Sequence, residues 1–259
     1  GRLLLLGGNE TPQSDGSGLV HANDWQPLGL NQAAITGQGA SGYLRASGSR
    51  VIAEHVGLGL AAGSKGTIEI LDASSLEVGG TMMVGALGQG SLGVAAASVT
   101  LSRSDASLVL GGFAGGNGQL GVGPGGQLQM KGSDARLDIG RGANSSGLAS
   151  LSGGGVALDG AKSSLNVGVA GYGTLVLDDA AVVRAASMWV GREAGGQGTV
   201  GLRGLSRLDI GSAEGTLALG TGAGSLGQLY VDGRGSSVRV NSGTDVAVLV
   251  GDDTGTGRL

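Results

Sequence analysis

Between residues 173 and 220 the chain runs through Gly173-Thr-Leu-Val-Leu177, Met188-Trp-Val-Gly191, Gly198-Thr-Val-Gly-Leu202, Leu208-Asp-Ile210 and Leu217-Ala-Leu-Gly220. Every segment alternates an apolar residue, written Φ, with any other residue, written x. Alternation with a period of two is typical of a β-strand that buries one face. Two signatures recur, Gly-x-Φ-x-Φ and Φ-x-Φ-Gly, with a third short alternating run between them. We therefore predict a repeat of three short strands.

The same unit extends in both directions from this stretch. The first signature occurs at Gly66-Thr-Ile-Glu-Ile70, Gly90-Ser-Leu-Gly-Val94, Gly118-Gln-Leu-Gly-Val122 and Gly227-Gln-Leu-Tyr-Val231, and more loosely at Gly42 and Gly147. The closing signature ends at Gly85, Gly111, Gly140, Gly168, Gly191, Gly220 and Gly251, with an eighth copy expected at Glu54/Val56/Gly57. Successive closing glycines lie 23 to 31 residues apart. This spacing predicts strands in register joined by loops of variable length.

Three short strands with one apolar face each cannot enclose a core, whereas stacked repeats bury those faces in one continuous column. We therefore predict an all-β fold, a parallel β-helix (β-solenoid) with about three strands in each coil of roughly 23–31 residues. The preference of parallel crossovers for the right hand favours a right-handed winding. A left-handed helix built from six-residue steps would need coils of 18 residues, which the observed spacing excludes.

Composition agrees with a narrow core and glycine-rich corners. Glycine occupies 58 of 259 positions, three times its usual share of about 7%, and this disfavours helices because glycine weakens helix interiors. Only two Trp, three Tyr and one Phe are present. Hydrophobic residues make up 40% and charged residues 14% of the chain, so intrinsic disorder is a poor interpretation.

Charge and cysteine content exclude several classes of function. The formal net charge is −4 without a run of like charge, which argues against a nucleic-acid partner. The chain has no cysteine and two histidines, His21 and His55. Disulfides are therefore excluded, and we expect no metal site and no cofactor.

The repeat in residues 173–220 resembles one shared by the passenger domains of bacterial autotransporters (type V secretion) and by some other exported bacterial surface proteins. The resemblance covers about residues 42 to 259. It implies a β-helical stalk that is extracellular or attached to the outer membrane at the cell surface, and that acts in adhesion, aggregation or biofilm. The family has no fixed catalytic residues to transfer to this chain.

The first 41 residues are less regular than the rest. Gly1-Arg-Leu-Leu-Leu5 matches the first-strand signature, and so does Gly257-Arg-Leu259 at the other end, so we expect more protein beyond one or both ends. Residues 1–41 then form an irregular or expanded first coil, and residues 42–259 form the regular repeats. The excess length includes His21, Asp24 and Trp25, which we expect on a protruding loop as candidate binding residues. The alternative is a surface loop with Trp25 folded over the nearest coil.

A second group of candidate residues depends on register. The fifth residue after the first-strand glycine is Asp178, Arg203 and Asp232 in three consecutive coils. Their alternating charges predict a stabilising ladder. Two carboxylates about 9.6 Å apart across two strand spacings would also suit an inverting glycosidase, but the intervening arginine disfavours catalysis.

These observations favour a non-enzymatic structural or adhesive segment whose partners are its own neighbouring coils and, through its faces and loops, glycans or proteins on host or bacterial surfaces. A polysaccharide lyase or hydrolase on the same scaffold is one alternative, although it would need a cleft with several acids and usually aromatics. A self-associating fibre subunit that stacks head to tail is the other.

Overall fold

The computed structural model describes residues 2–5, 19–21, 41–212, 215–242, 247–251 and 254–259. Each full coil contributes one strand to each of three parallel sheets, which we call sheets I, II and III in the order in which a coil visits them. The chain forms a β-solenoid of about eight turns. No helix occurs in the described ranges. The prediction of an all-β parallel β-helix with three strands per coil is confirmed.

Sheet I contains the strands of the Gly-x-Φ-x-Φ signature. They are β3 (Ser41–Ser47), β6 (Lys65–Leu71), β9 (Gln89–Ala95), β12 (Asn117–Val122), β15 (Ser146–Ser152), β18 (Tyr172–Asp178), β21 (Gln197–Leu202), β24 (Leu226–Val231) and β27 (Thr256–Arg258).

Sheet II contains the middle strand of each coil. They are β2 (Leu19–His21), β4 (Arg50–Ala53), β7 (Ser75–Val78), β10 (Ser98–Leu101), β13 (Gln127–Met130), β16 (Gly155–Leu158), β19 (Val182–Ala185), β22 (Arg207–Ser212) and β25 (Ser237–Ser242).

Sheet III contains the closing strands. They are β1 (Arg2–Leu5), β5 (His55–Leu58), β8 (Thr81–Val84), β11 (Ser107–Leu110), β14 (Arg136–Ile139), β17 (Ser164–Val167), β20 (Ser187–Val190), β23 (Thr216–Leu219) and β26 (Ala247–Val250).

The apolar residues of the repeat face inward and stack in register. Ile68, Leu92 and Leu120 pair in β6, β9 and β12 and are almost completely buried. Equivalent residues of sheets II and III complete one continuous core. At the last coil, Val248 and Val250 of β26 pair with the buried Leu217 and Leu219. They are about half exposed because β26 is the edge strand of the described part of sheet III.

The corner between sheets III and I explains the glycine content. Seven closing glycines of the signature, and Gly59 in the first regular coil, have a positive φ, between 58° and 73°, a backbone conformation that costs glycine little. A Cβ atom on Gly85 would overlap the backbone of Asn117. The first-strand glycine of the same turn, Gly90, has ordinary dihedrals, but a Cβ there would overlap the backbone of Gly85. The corner therefore admits no side chain at either position.

The pairing corrects two assignments made from sequence. Val56 pairs with Met82 and Leu58 with Val84, so the closing glycine of that coil is Gly59 and not Gly57. Arg2–Leu5 pairs with His55–Leu58 in sheet III, so it is a closing strand and not a first strand. The segment 54–59 offers two places for the closing glycine, Gly57 and Gly59, and the consecutive leucines of Arg2–Leu5 suit either a first or a closing strand. Pairing with the neighbouring strand decides both assignments.

Candidate functional site

Two of the three loop candidates lie outside the described residues. Asp24 and Trp25 belong to the range 22–40, and the backbone of His21 forms the end of β2, where it pairs with Ile52. The side chain of His21 is not among those described. A binding role for these residues stays a prediction.

The predicted charge ladder has one close contact. Arg203 Nε donates a hydrogen bond to Asp178 Oδ2 at 2.7 Å. Asp232 occupies the next rung, where its backbone N–H donates to the carbonyl of Leu202, but no ion pair joins it to Arg203 among the described residues. Arg203 is 64% exposed, and exposed pairs of this kind contribute little to stability. The contact is consistent with a structural role.

A polar recess of about 330 Å³ lies on the outer face of sheet I. Its walls are hydroxyl, amide and ammonium groups arranged in two columns, because alternate residues of adjacent parallel strands stack in register. One column contains Lys65, Gln89 and Asn117, and the neighbouring column contains Thr67, Ser91 and Gln119. The next outward position is glycine in both β9 and β12, Gly93 and Gly121, which leaves the surface beside the recess flat.

All three tyrosines of the chain lie on this same outer face. Tyr43 in β3, Tyr172 in β18 and Tyr230 in β24 are 54%, 53% and 50% exposed. Tyr172 and Tyr230 stand two strands apart, a separation of about 9.6 Å along the axis. The hydroxyl of Tyr43 donates a hydrogen bond to Glu69 on the adjacent strand. The face therefore combines half-exposed aromatic rings with amides and hydroxyls and with the charged side chains of Lys65 and Glu69.

The outer face of sheet III is covered more than the other two outer faces. Val109, Asp138, Asn166 and Ala218 occupy outward positions and yet are buried. In the described part of the chain, loops that follow closing strands approach this face. For example, a Cβ on Gly57 would lie 2.8 Å from Cδ2 of Leu60.

Three arginines surround the buried carboxylate on this face. Arg136 Nε lies 3.1 Å and Arg141 Nε lies 3.7 Å from Asp138 Oδ2. Asn166 Nδ2 donates to Asp138 Oδ1 at 2.7 Å, and Arg192 Nη1 donates to Asn166 Oδ1 at 3.1 Å. The guanidinium of Arg192 also lies over the ring of Trp189, 4.8 Å from its centroid. We call these six residues, Arg136, Asp138, Arg141, Asn166, Trp189 and Arg192, the arginine cluster.

The environment of Asp138 shifts its titration. Its side chain is only 3% exposed, and burial raises the pKa of the carboxyl above its ordinary value because the charged form loses hydration. The nearby guanidinium groups and the hydrogen bond from Asn166 oppose this shift in part. The folded chain therefore takes up a proton at Asp138 more readily than the unfolded chain does.

This shift predicts a specific pH dependence. A raised pKa in the folded state means that the contribution of Asp138 to stability is fully present below the unfolded pKa, about 3.9, and is lost as pH rises through the folded pKa. Urea unfolding of the natural chain and of Asp138→Asn should be compared from pH 3 to 7. We expect the difference in free energy of unfolding, natural chain minus variant, to fall as pH rises. A difference that grows with pH would mean that the arginines outweigh burial.

The sequence interpretation missed the arginine cluster because its members come from three coils and two loops. Its signal was present in the register: Asp138, Asn166 and Trp189 occupy the same position of successive closing strands. Sheet II likewise contains a contact not foreseen, with Arg184 Nε and Arg207 Nε lying 3.7 Å and 2.6 Å from the carboxylate of Asp209.

Across the described residues, no group of three or more His, Asp or Glu side chains is placed to hold a metal ion. Within the same ranges no helix is long and apolar enough to cross a membrane. Comparison with known proteins finds no family model, no curated protein and no solved structure that is significantly similar to this chain.

Proposed function

We propose that the chain is a segment of a β-helical stalk of an exported bacterial surface protein, that it resembles an autotransporter passenger domain in role, and that it acts in adhesion or self-association without catalysis. The support is the stacking of repeats along one axis, with every coil hydrogen-bonded to the next. Such a column can extend to any length without a catalytic site, since each coil needs contacts only with its neighbours.

We place the adhesive contact on the outer face of sheet I, and the polar recess is the observation that carries this assignment. Neutral amides and hydroxyls in columns can exchange hydrogen bonds with the hydroxyl groups of a sugar chain. The half-exposed tyrosines on the same face offer apolar ring surface beside polar groups, the combination that favours tyrosine at interfaces. The ligand class is therefore a neutral polysaccharide lying along the sheet.

Binding to neutral polysaccharides on a glycan array tests this assignment. The variant Gln89→Ala/Gln119→Ala removes two amides from the recess, and we expect binding about tenfold weaker or worse, since each lost hydrogen bond costs about 1 kcal/mol. The control Gln127→Ala/Gln129→Ala removes two amides from the outer face of sheet II and should bind as the natural chain does. Equal weakening by both pairs, or no binding by the natural chain, would contradict the assignment.

The same samples separate a stalk from an enzyme. Polysaccharides incubated with the chain are assayed for new reducing ends and for unsaturated sugars, and we expect neither to accumulate. The surface location has its own test, in which antibodies against the chain label intact cells of the bacterium that makes it. Labelling only after the cells are broken would contradict the surface role.

A further inference from the structure

The arginine cluster carries more positive charge than its buried carboxylate balances. Guanidinium groups stay charged throughout the physiological pH range, so Asp138 compensates one of the three arginines. The chain as a whole has a formal net charge of −4. The outer face of sheet III at β14, β17 and β20 therefore opposes the overall sign, and such local potential attracts anions.

Neighbouring charges do not cancel this excess. Glu193 follows Arg192 and is exposed, but among the described residues it forms no ion pair with the cluster. Asp134 lies in the exposed turn before β14, where its carboxylate accepts a hydrogen bond from Ser133. In the adjacent turn, the backbone N–H of Lys162 donates a hydrogen bond to the carbonyl of Ser133. The ammonium group of Lys162 adds a further positive charge near the cluster.

The arginines are held in place by the scaffold. Backbone N–H groups of Arg141 and Arg192 donate to the carbonyls of Gly111 and Gly168 at 3.0 and 3.1 Å, which fixes each of the two loops on the coil that precedes it. Trp189 and Asn166 orient the guanidinium of Arg192 from below and from the side. Such positioning lowers the ordering cost of binding.

Arg136 and Arg141 approach Asp138 through Nε, and within the described part of the chain no Nη atom of either residue donates a hydrogen bond. Arg136 is 41% and Arg141 43% exposed. Paired Nη donors match the geometry of an oxyanion.

We propose that the arginine cluster binds an oxyanion group, a sulfate ester or a carboxylate, carried by an acidic polysaccharide. The exposed parts of Arg136 and Arg141 stand out from this partly covered face, where a sugar chain can reach them from solvent. This site is on sheet III and is independent of the polar recess on sheet I. Either binding proposal can therefore be correct without the other.

Binding to immobilised heparin, polygalacturonate and dextran over a series of salt concentrations tests the proposal. We expect the natural chain to bind heparin, polygalacturonate or both, and to bind less tightly as salt increases because the contact is charged. Arg141→Gln and Arg192→Gln should each weaken this binding about tenfold, the loss that corresponds to one charge-assisted contact. Arg50→Gln and Arg203→Gln remove exposed arginines from sheet II and from the corner after sheet I, and we expect changes below twofold.

Each outcome decides a separate question. Binding to heparin alone assigns a sulfate ester, and binding to polygalacturonate alone assigns a carboxylate. Binding to dextran that Arg141→Gln leaves intact would belong to the neutral recess. The proposal is overturned if neither acidic polymer binds, or if the control variants weaken binding as much as the cluster variants do. Circular dichroism establishes that each variant is folded, and Arg141→Lys, which retains charge but not the paired donors, should bind with intermediate strength.

Discussion

Replacing Gly85 with alanine should lower the free energy of unfolding by about 2–5 kcal/mol, because alanine is strained in a left-handed backbone conformation and its methyl group overpacks the corner. Gly85 has φ of +70°, a region that alanine enters only with strain. Its added methyl group would also overlap the carbonyl of Asn117 on the next rung of sheet I. Relief of that overlap would require β8 and β12 to separate, which breaks the hydrogen-bonded stack.

Substitutions at two other glycines distinguish the cost of backbone strain from the cost of steric overlap. Gly115 has φ of +80°, but a Cβ there meets no atom within 4 Å, so Gly115→Ala should cost only the backbone strain, about 1–2 kcal/mol. Gly121 points outward into open space without a positive φ, and Gly121→Ala should be neutral or slightly stabilising. Urea unfolding followed by far-ultraviolet circular dichroism measures all three. A Gly85 variant as stable as the Gly115 variant would contradict the close corner.

Replacing Leu92 with alanine should cost about 2–5 kcal/mol, the usual range for a leucine removed from a rigid core. Leu92 is fully buried and stacks between Ile68 and Leu120. Backbone hydrogen bonds hold the rungs above and below it at a fixed spacing, so the cavity cannot collapse along the axis.

Leu148 supplies the matched control for Leu92. It lies in β15 of the same sheet but points outward and is 37% exposed. We expect Leu148→Ala to change the free energy of unfolding by no more than about 0.5 kcal/mol. Equal losses in the two variants would show that the assigned alternation of inward and outward residues is wrong.

The repeat made the architecture predictable because the strands of sheets I and III each have a characteristic glycine. A glycine before the alternating run marks sheet I and a glycine after it marks sheet III, so strand order follows from the chain alone. The core followed as well, since the apolar positions of the signatures are the buried ones except near the last coil, where Val231, Val248 and Val250 are about half exposed. A right-handed winding stays a prediction from the crossover preference.

Two segments were assigned wrongly from sequence, because each offers more than one match to the signatures. In Val56-Gly57-Leu58-Gly59 glycine follows each of two apolar residues, and pairing with Met82 and Val84 decides between them. Arg2–Leu5 presents a different ambiguity, because its consecutive leucines suit either a first strand or a closing strand, and pairing with His55–Leu58 decides for the closing strand. In the segment 54–59 the assignment to Gly57 would place Glu54 at an inward position, whereas the observed pairing buries Val56 and Leu58.

The candidate site was harder to predict than the fold because outward positions follow no apolar rule. Asp178 and Arg203 were found by counting from a conserved feature of every unit, the first-strand glycine. Asp138 was not found, since burial of an outward residue depends on the loop that folds back over sheet III. Loop conformation varies from coil to coil with loop length, and the repeat does not encode it.

Distances between spin labels on successive coils test the stacked ladder most directly. The chain has no cysteine, so thiol-reactive spin labels attach only to cysteines introduced in pairs at outward positions. Thr67, Thr174 and Gln228 occupy one column of sheet I. Four strand spacings separate the first two and six separate the first and third, or about 19 Å and about 29 Å. We expect the second distance to exceed the first by about 10 Å; equal distances, or a shorter second one, would contradict a single column of coils.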